Sequence, residues 1–276
     1  MGKGSFFAFC LGLIFFLSAP AFSQPQILTL ATTTSTADTG LLDELLPVFE
    51  QKEGITVKVV AVGTGQALKL GQRGDADVVM VHAKPAEEEF VRQGYGLERI
   101  EFMYNDFVVV GPPADPAKIK GSKDAVTAFA SIKESGQRWV SRGDNSGTHL
   151  REQEIRQKAK LVSGGTWYLE AGGGMAHTLR LANDKRAYTL SDRGTFLTWK
   201  NKLDLIILAE GDPLLLNYYG IIAVNPKVYP QTNIAGAQKL ISFLTSREGQ
   251  RLIADFGKNK FGQPLFFPTI YKIRPY

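Results

Sequence analysis

The sequence predicts an α/β protein of two lobes, each a sheet with helices packed on its faces. Three observations predict it. At 276 residues the chain is longer than the ~250 residues near which a single core stops growing. From residue 27 to residue 82, short buried-strand runs alternate with helical patterns, the arrangement of parallel strands joined by crossover helices. The pattern then changes near residues 104–111, and again near 216–220, with no low-complexity linker at either place. Two lobes without a linker imply an insertion: residues 24–104 with 218–276 form the first lobe, and residues 105–217 the second.

Residues 1–23 stand apart from this fold. Lys3 gives a short positive start, residues 6–17 are almost wholly apolar, and Ala21-Phe22-Ser23 puts small residues at both ends of a cleavage triplet. This is the pattern of a secretory signal peptide cut before Gln24, and the apolar run falls short of the ~20 residues that span a bilayer. An uncleaved N-terminal anchor is the alternative. Cys10, the one cysteine of the chain, lies inside the leader. The mature protein would then lack cysteine, which excludes disulfides, thiol catalysis and cysteine-bound metal, and suits an oxidising compartment. A mean hydropathy of −0.08 argues against a polytopic membrane protein. The formal charge of +5 becomes +4 without Lys3. That mild basic bias can attract anions but forms no stripe or arm for nucleic acid.

The elements follow in order. Residues 27–31 read as a short buried strand. Residues 39–52 read as a helix, with Leu41, Leu42, Leu45, Leu46 and Phe49 at helical spacing and a kink or break expected at Pro47. Residues 56–62 alternate and are β-branched, so they form a strand; 66–73 form a helix and 78–82 another buried strand. Residues 107–110 are a strand ended by Gly111-Pro112-Pro113. Beyond it come a helix over 125–135, a strand over 138–141 and a helix over 148–158. A helix over 175–183 and strands over 187–190, 204–209 and 218–224 precede a helical tail over 234–256.

Chemistry concentrates where strands give way to helices. Ala31-Thr32-Thr33-Thr34-Ser35-Thr36 follows the first strand and precedes the first helix. Ligands of open α/β sheets bind at the carboxyl ends of strands. A helix N-terminus there offers unpaired N–H groups and partial positive charge to an anion, and a run of hydroxyls adds neutral donors. Helix capping by Thr36, Asp38 or Thr39 explains one such residue but not the run. Gly63-Thr64-Gly65-Gln66 repeats the arrangement after the second strand, although a plain β-to-α turn explains it equally well alone. Ser141-Arg142-Gly143-Asp144-Asn145-Ser146-Gly147-Thr148 repeats it again in the second lobe. Arg142 can fork an oxyanion, Ser146, Gly147 and Thr148 can donate, and Asp144 either holds the guanidinium or caps the helix. Gly172-Gly173-Gly174 is a further N–H-rich mouth or a hinge. Ser191-Asp192-Arg193-Gly194-Thr195 can line the cleft or serve structure alone. The Arg142-Gly143-Asp144 triplet carries little weight as an adhesion motif in a chain with 28 glycines.

Enzyme readings lack parts. His82, His149 and His177 show no metal-ligand spacing, and there is no nucleophile elbow and no phosphate-binding loop of the P-loop type. His82 ends a strand as a core, cleft-edge or ligand residue; His149 and His177 read as structural or surface residues.

Taken together, these segments resemble the extracytoplasmic tungstate-binding proteins of bacterial ABC transporters. The match rests on Leu30-Ala31-Thr32-Thr33-Thr34-Ser35, Val62-Gly63-Thr64-Gly65-Gln66-Ala67-Leu68 and Met103-Tyr104-Asn105-Asp106-Phe107-Val108. It continues through residues 141–148 and 187–195, covering essentially the whole mature chain in order. The resemblance implies a type II periplasmic-binding-protein fold closing over a buried anion. It also implies Thr33, Thr34, Ser35, Thr64, Arg142, Ser146, Gly147 and Thr148 as ligand contacts. The expected ligand is tungstate, with molybdate or phosphate as alternatives and no cofactor. The expected protein partner is a permease, with no nucleic acid, and the receptor itself a periplasmic monomer without enzymatic activity. A secreted phosphoester hydrolase is the reading from a different class. Asp144 separates the ligands: pointed at the anion it accepts a proton from phosphate, and turned onto Arg142 it leaves a donor-only site for a deprotonated oxyanion.

Overall fold

The computed structural model describes Gly2, residues 26–162 and residues 164–270. The predicted signal peptide, its cleavage point and Cys10 therefore fall outside the described residues, Gly2 apart. In chain order the elements are β1 (Gln26–Thr33), α1 (Thr34–Ala37), α2 (Leu41–Glu53), β2 (Ile55–Val62), α3 (Thr64–Gln72), β3 (Val78–Val81), α4 (Lys84–Arg92) and β4 (Gly96–Gly111). Then come α5 (Ala125–Glu134), β5 (Trp139–Ser141), α6 (Gly147–Lys158), β6 (Tyr168–Glu170), α7 (Met175–Lys185), β7 (Tyr188–Asp192) and α8 (Arg193–Trp199). The chain finishes with β8 (Ile206–Ala209), β9 (Leu216–Val224), α9 (Ile234–Thr245), α10 (Arg247–Asp255), α11 (Lys258–Phe261) and β10 (Phe267–Pro268).

The strands run in the order β2-β1-β3-β9-β4-β7-β5-β6, with β8 and β10 each pairing with β4 off this path. β1 lies parallel to β2 and to β3, as the βαβαβ start predicts. β9 runs antiparallel to both β3 and β4, so this first sheet is mixed. In the second sheet β5 lies parallel to β6 and β7, while β7 and β8 run antiparallel to β4.

β4 serves both sheets. The sequence predicts a strand over 107–110 only; the strand covers 16 residues. Through Asp106, opposite Leu216, it pairs with β9, and from Phe107, opposite Asp192, it pairs with β7. Buried polar side chains hold this crossing. Asn217 Nδ2 donates to Asn105 Oδ1 at 2.8 Å, and Asn105 Nδ2 donates to Tyr219 Oη at 3.3 Å. Arg193 forks Asp106 with both Nε and Nη2. Such satisfied networks specify one register where apolar contacts alone would tolerate several.

The apolar residues divide accordingly. Leu28, Leu30, Leu41, Leu45, Phe49, Phe102 and Ile221 belong to one cluster, and Phe129, Trp139, Tyr188 and Leu190 to another. All five apolar positions predicted for α2 are buried, each stabilising the fold by about 1.5–3 kcal/mol. α2 continues through Pro47 without the predicted break. Pro47 and Asp43 are exposed, so water can satisfy the carbonyl that the missing N–H leaves free.

The predicted tail helix is two helices. Ser246 adopts an extended conformation between them, and its Oγ accepts from Gly249 N at 3.1 Å. A Cβ on Gly249 would lie 2.2 Å from the Phe243 carbonyl oxygen, so this corner requires glycine.

Candidate functional site

Strand register assembles the first wall of the site. Thr33 pairs with Val62 and Thr32 with Met80, so Thr34, Gly63-Thr64 and His82 emerge from neighbouring strand ends. Thr32 is committed to the sheet, its hydroxyl donating to Met80 O at 2.8 Å. Thr33 caps α1, its Oγ1 accepting from Thr36 N at 3.1 Å. The helix predicted over 39–52 is α2, whose N-cap is Gly40 without a side-chain cap bond, although Thr39 Oγ1 accepts from Leu41 N at 3.2 Å. Thr33 Oγ1 also lies 2.6 Å from Thr36 Oγ1, 3.1 Å from Ser35 Oγ and 3.3 Å from His82 Nε2.

The second wall rises from β5, β6 and β7. Arg142 leaves the end of β5 and pairs with Asp144, Nη2 to Oδ2 at 2.5 Å and Nε to Oδ2 at 3.1 Å. Asp144 Oδ1 accepts from Ser146 N at 3.1 Å. Burial alone would raise the Asp144 carboxyl, but the bonds from Ser146 and the charge of Arg142 outweigh it and hold the group below the usual carboxylate range. Ser146 caps α6, its Oγ accepting from His149 N. His149 braces the turn: its Nδ1 accepts from Asn145 N at 3.0 Å, which helps hold Asn145 at its positive φ of 55°. That is the structural role expected of His149.

Between the walls lies a cavity of about 540 Å³. At ~30 Å³ per liquid water molecule, it holds far more than one tetrahedral oxyanion. Thr34, Ser35, Asp38 and Thr39 line one side; Arg142, Gly174, His177, Arg180, Asp192, Gly194, Thr195 and Trp199 are among the residues lining the other. Of the predicted contacts, Thr34, Ser35 and Arg142 line the cavity. Thr33 and Gly147 lie behind it, each against His82. Thr64 opens α3 beside the Thr34 segment, Ser146 is used as a cap, and Thr148 is buried in the first turn of α6. These five are not among the lining residues.

Two segments that sequence reading left open reach the cavity. Gly174 is the N-cap of α7 and makes no side-chain cap bond, so the helix start presents main-chain N–H groups towards the space. Asp192 caps α8, its Oδ1 accepting from Thr195 N at 2.8 Å. Burial raises the Asp192 carboxyl, opposed by the Thr195 bonds and by Arg142. His82, which sequence reading left undecided, lies behind the lining residues, between Thr33 and Gly147. Its ring packs at a tilt against Tyr219 with centroids 4.9 Å apart, and burial lowers its pKa to about 4.

The PBP superfamily domain model matches residues 19–248. The tungstate-binding protein TupA of Peptoclostridium acidaminophilum is 49% identical over 245 residues, 88% of this chain and 86% of that protein. The chain belongs to the TupA family. A solved structure of the tungstate-binding protein TupA from Desulfovibrio alaskensis G20 is similar with a TM-score of 0.83 and 42% identity, over 88% of this chain and 99% of that one. A tungstate ABC transporter structure from Geobacter sulfurreducens gives a TM-score of 0.76 and 50% identity, over 83% of this chain and 98% of that one. The α/β fold of TupA and of the wider PBP superfamily is the fold of this chain, as the sequence predicts.

Proposed function

We propose that this chain is the extracytoplasmic receptor of an ABC transporter, capturing tungstate in the cleft and handing it to the permease. The observation that carries the reading is Asp144 turned onto Arg142, which lines the same cavity as the hydroxyls of Thr34 and Ser35 on its opposite side. Tungstate is a dianion without a proton at neutral pH, so its site needs donors only. Arg142 supplies charge-assisted donors, hydroxyls and helix starts supply neutral ones, and Asp144 is occupied in fixing the guanidinium. Asp192 is likewise occupied by the Thr195 N–H. Phosphate keeps a proton and calls for an acceptor; Asp144 and Asp192 are engaged as described, which leaves Asp38, exposed on the opposite wall, as the carboxylate that phosphate would have to use. The names of the TupA relatives favour tungstate over molybdate, an ion of the same charge and shape.

In this reading residues 24–104 with 218–276 and residues 105–217 are lobes that close about the shared strands β4 and β9. Closure expels water and strengthens each hydrogen bond to the anion. It brings Thr33, Thr64, Ser146, Gly147 and Thr148 around a ligand whose first contacts are Thr34, Ser35 and Arg142. The receptor acts as a monomer in the periplasm after removal of residues 1–23, forms no covalent intermediate and turns over no phosphoester.

Thermal unfolding tests the reading. A ligand at a hundredfold excess over its Kd stabilises a protein by about 2.7 kcal/mol, several degrees for a chain of this size. Tungstate should raise Tm by that order while phosphate leaves it in place. An unchanged Tm with tungstate, or an equal rise with phosphate, overturns the assignment.

A further inference from the structure

Gly147 is the first residue of α6, and it is not among the glycines with positive φ. Backbone conformation therefore does not demand glycine there. A neighbour does: a Cβ at Gly147 would lie 2.5 Å from His82 Cε1 and 2.8 Å from His82 Nδ1. His82 follows β3 of the first sheet, whereas Gly147 follows β5 of the second, so this contact spans the cleft.

The other edge of the same ring faces the hydroxyls. His82 Nε2 lies 3.3 Å from Thr33 Oγ1 and 3.4 Å from Ser35 Oγ. His82 Nδ1 is buried and finds no hydrogen-bond partner among the described residues. We place the single proton of the neutral ring on Nε2, the nitrogen with two hydroxyl oxygens within reach. The depressed pKa agrees with a neutral ring. A hydroxyl has one proton and two lone pairs. By accepting from His82, the Ser35 hydroxyl keeps its own proton for a ligand, with Thr33 Oγ1 at 3.1 Å as the competing acceptor; with the opposite tautomer it would spend that proton on the imidazole.

We infer that His82 is a positioning residue of the cleft, aiming the Ser35 hydroxyl proton at a deprotonated oxyanion and seating Gly147 when the two halves are together. The inference rests on the receptor reading above and adds how the site recognises its ligand's protonation state and its own closure.

The test is calorimetric titration of the purified chain with sodium tungstate and with phosphate. Binding by the unaltered chain is measured first, because silence there fails the receptor reading rather than this inference. Gly147→Ala should then weaken tungstate binding about tenfold or more, since its methyl meets the ring. In a His82→Ala background the same substitution should cost less than about twofold, because the obstruction is gone; contacting residues are non-additive in this way. Equal losses in both backgrounds, or no loss from Gly147→Ala alone, overturn the contact. If Gly147→Ala does not fold, recovery of its melting transition in the double variant reads out the same clash, and failure to recover contradicts it. For the donor sense, His82→Gln, which retains an N–H, should keep most of the preference for tungstate over phosphate. His82→Leu should narrow that preference about tenfold or more, and an unchanged preference in His82→Leu overturns the positioning role.

Discussion

Arg142 reaches the cavity with one edge of its guanidinium already held by Asp144. Replacing it with alanine leaves a buried anion underpaired and should cost about 2–5 kcal/mol of tungstate binding. Lysine should recover little, because a point charge does not reproduce the fork. Asp144→Asn should cost less, about tenfold in Kd, by loosening the guanidinium without removing it; calorimetry on the three variants checks the ranking. His82 predicts a pH effect on stability. Its pKa lies near 4 in the folded chain against an ordinary 6.5, through burial first and then the charges of Arg142 and Arg151, partly offset by Asn217. A depressed histidine contributes its stabilisation fully above pH 6.5 and loses it as pH falls towards 4, about 3 kcal/mol in all. Melting curves between pH 7 and 4 should show this loss, and His82→Gln should flatten it. Ser35 and Arg142 were legible in the sequence because residue type and position between strand and helix coincide there. His82 was not, because Thr33, Tyr219 and Gly147 meet it only through three-dimensional register.

Between elements, the strand-to-helix junctions that build both walls were readable because glycines and hydroxyl residues punctuate them. α4 carried no comparable mark: Glu87 and Phe90 are its buried residues, too few for a helical period. The first half of β4 was hidden by Glu98, Arg99 and Glu101, charges that resemble a loop. Arg99 instead pairs in the interior, its Nε donating to Glu87 Oε2 at 2.7 Å. The corner between α9 and α10 was hidden because Leu240, Phe243, Leu244 and Ile253 maintain an apolar pattern across it. Ser246 holds that corner, so Ser246→Ala should lower stability by about 1 kcal/mol and leave tungstate affinity unchanged. Denaturant midpoints paired with titration check both halves of that statement.

At the scale of the molecule, β4 joins the two sheets, and the Asp106–Arg193 fork sits where β4 changes partners. Arg193→Ala would strand a mostly buried carboxylate and should destabilise the chain by about 3–5 kcal/mol, seen as a lowered denaturant midpoint. The mixed first sheet was not legible in advance, because a largely buried run such as β9 carries no sign of its direction. What the amino-acid order does display is the repeated placing of hydroxyls, glycines and one arginine at strand ends, of which Thr34, Ser35, Arg142 and Gly174 line one cavity. The measurement that tests this convergence most directly is calorimetric titration of the mature chain with tungstate, molybdate, sulfate and phosphate. The account predicts tight one-to-one binding of tungstate, with sulfate and phosphate silent. Silence for all four, or phosphate binding as tightly as tungstate, would contradict it.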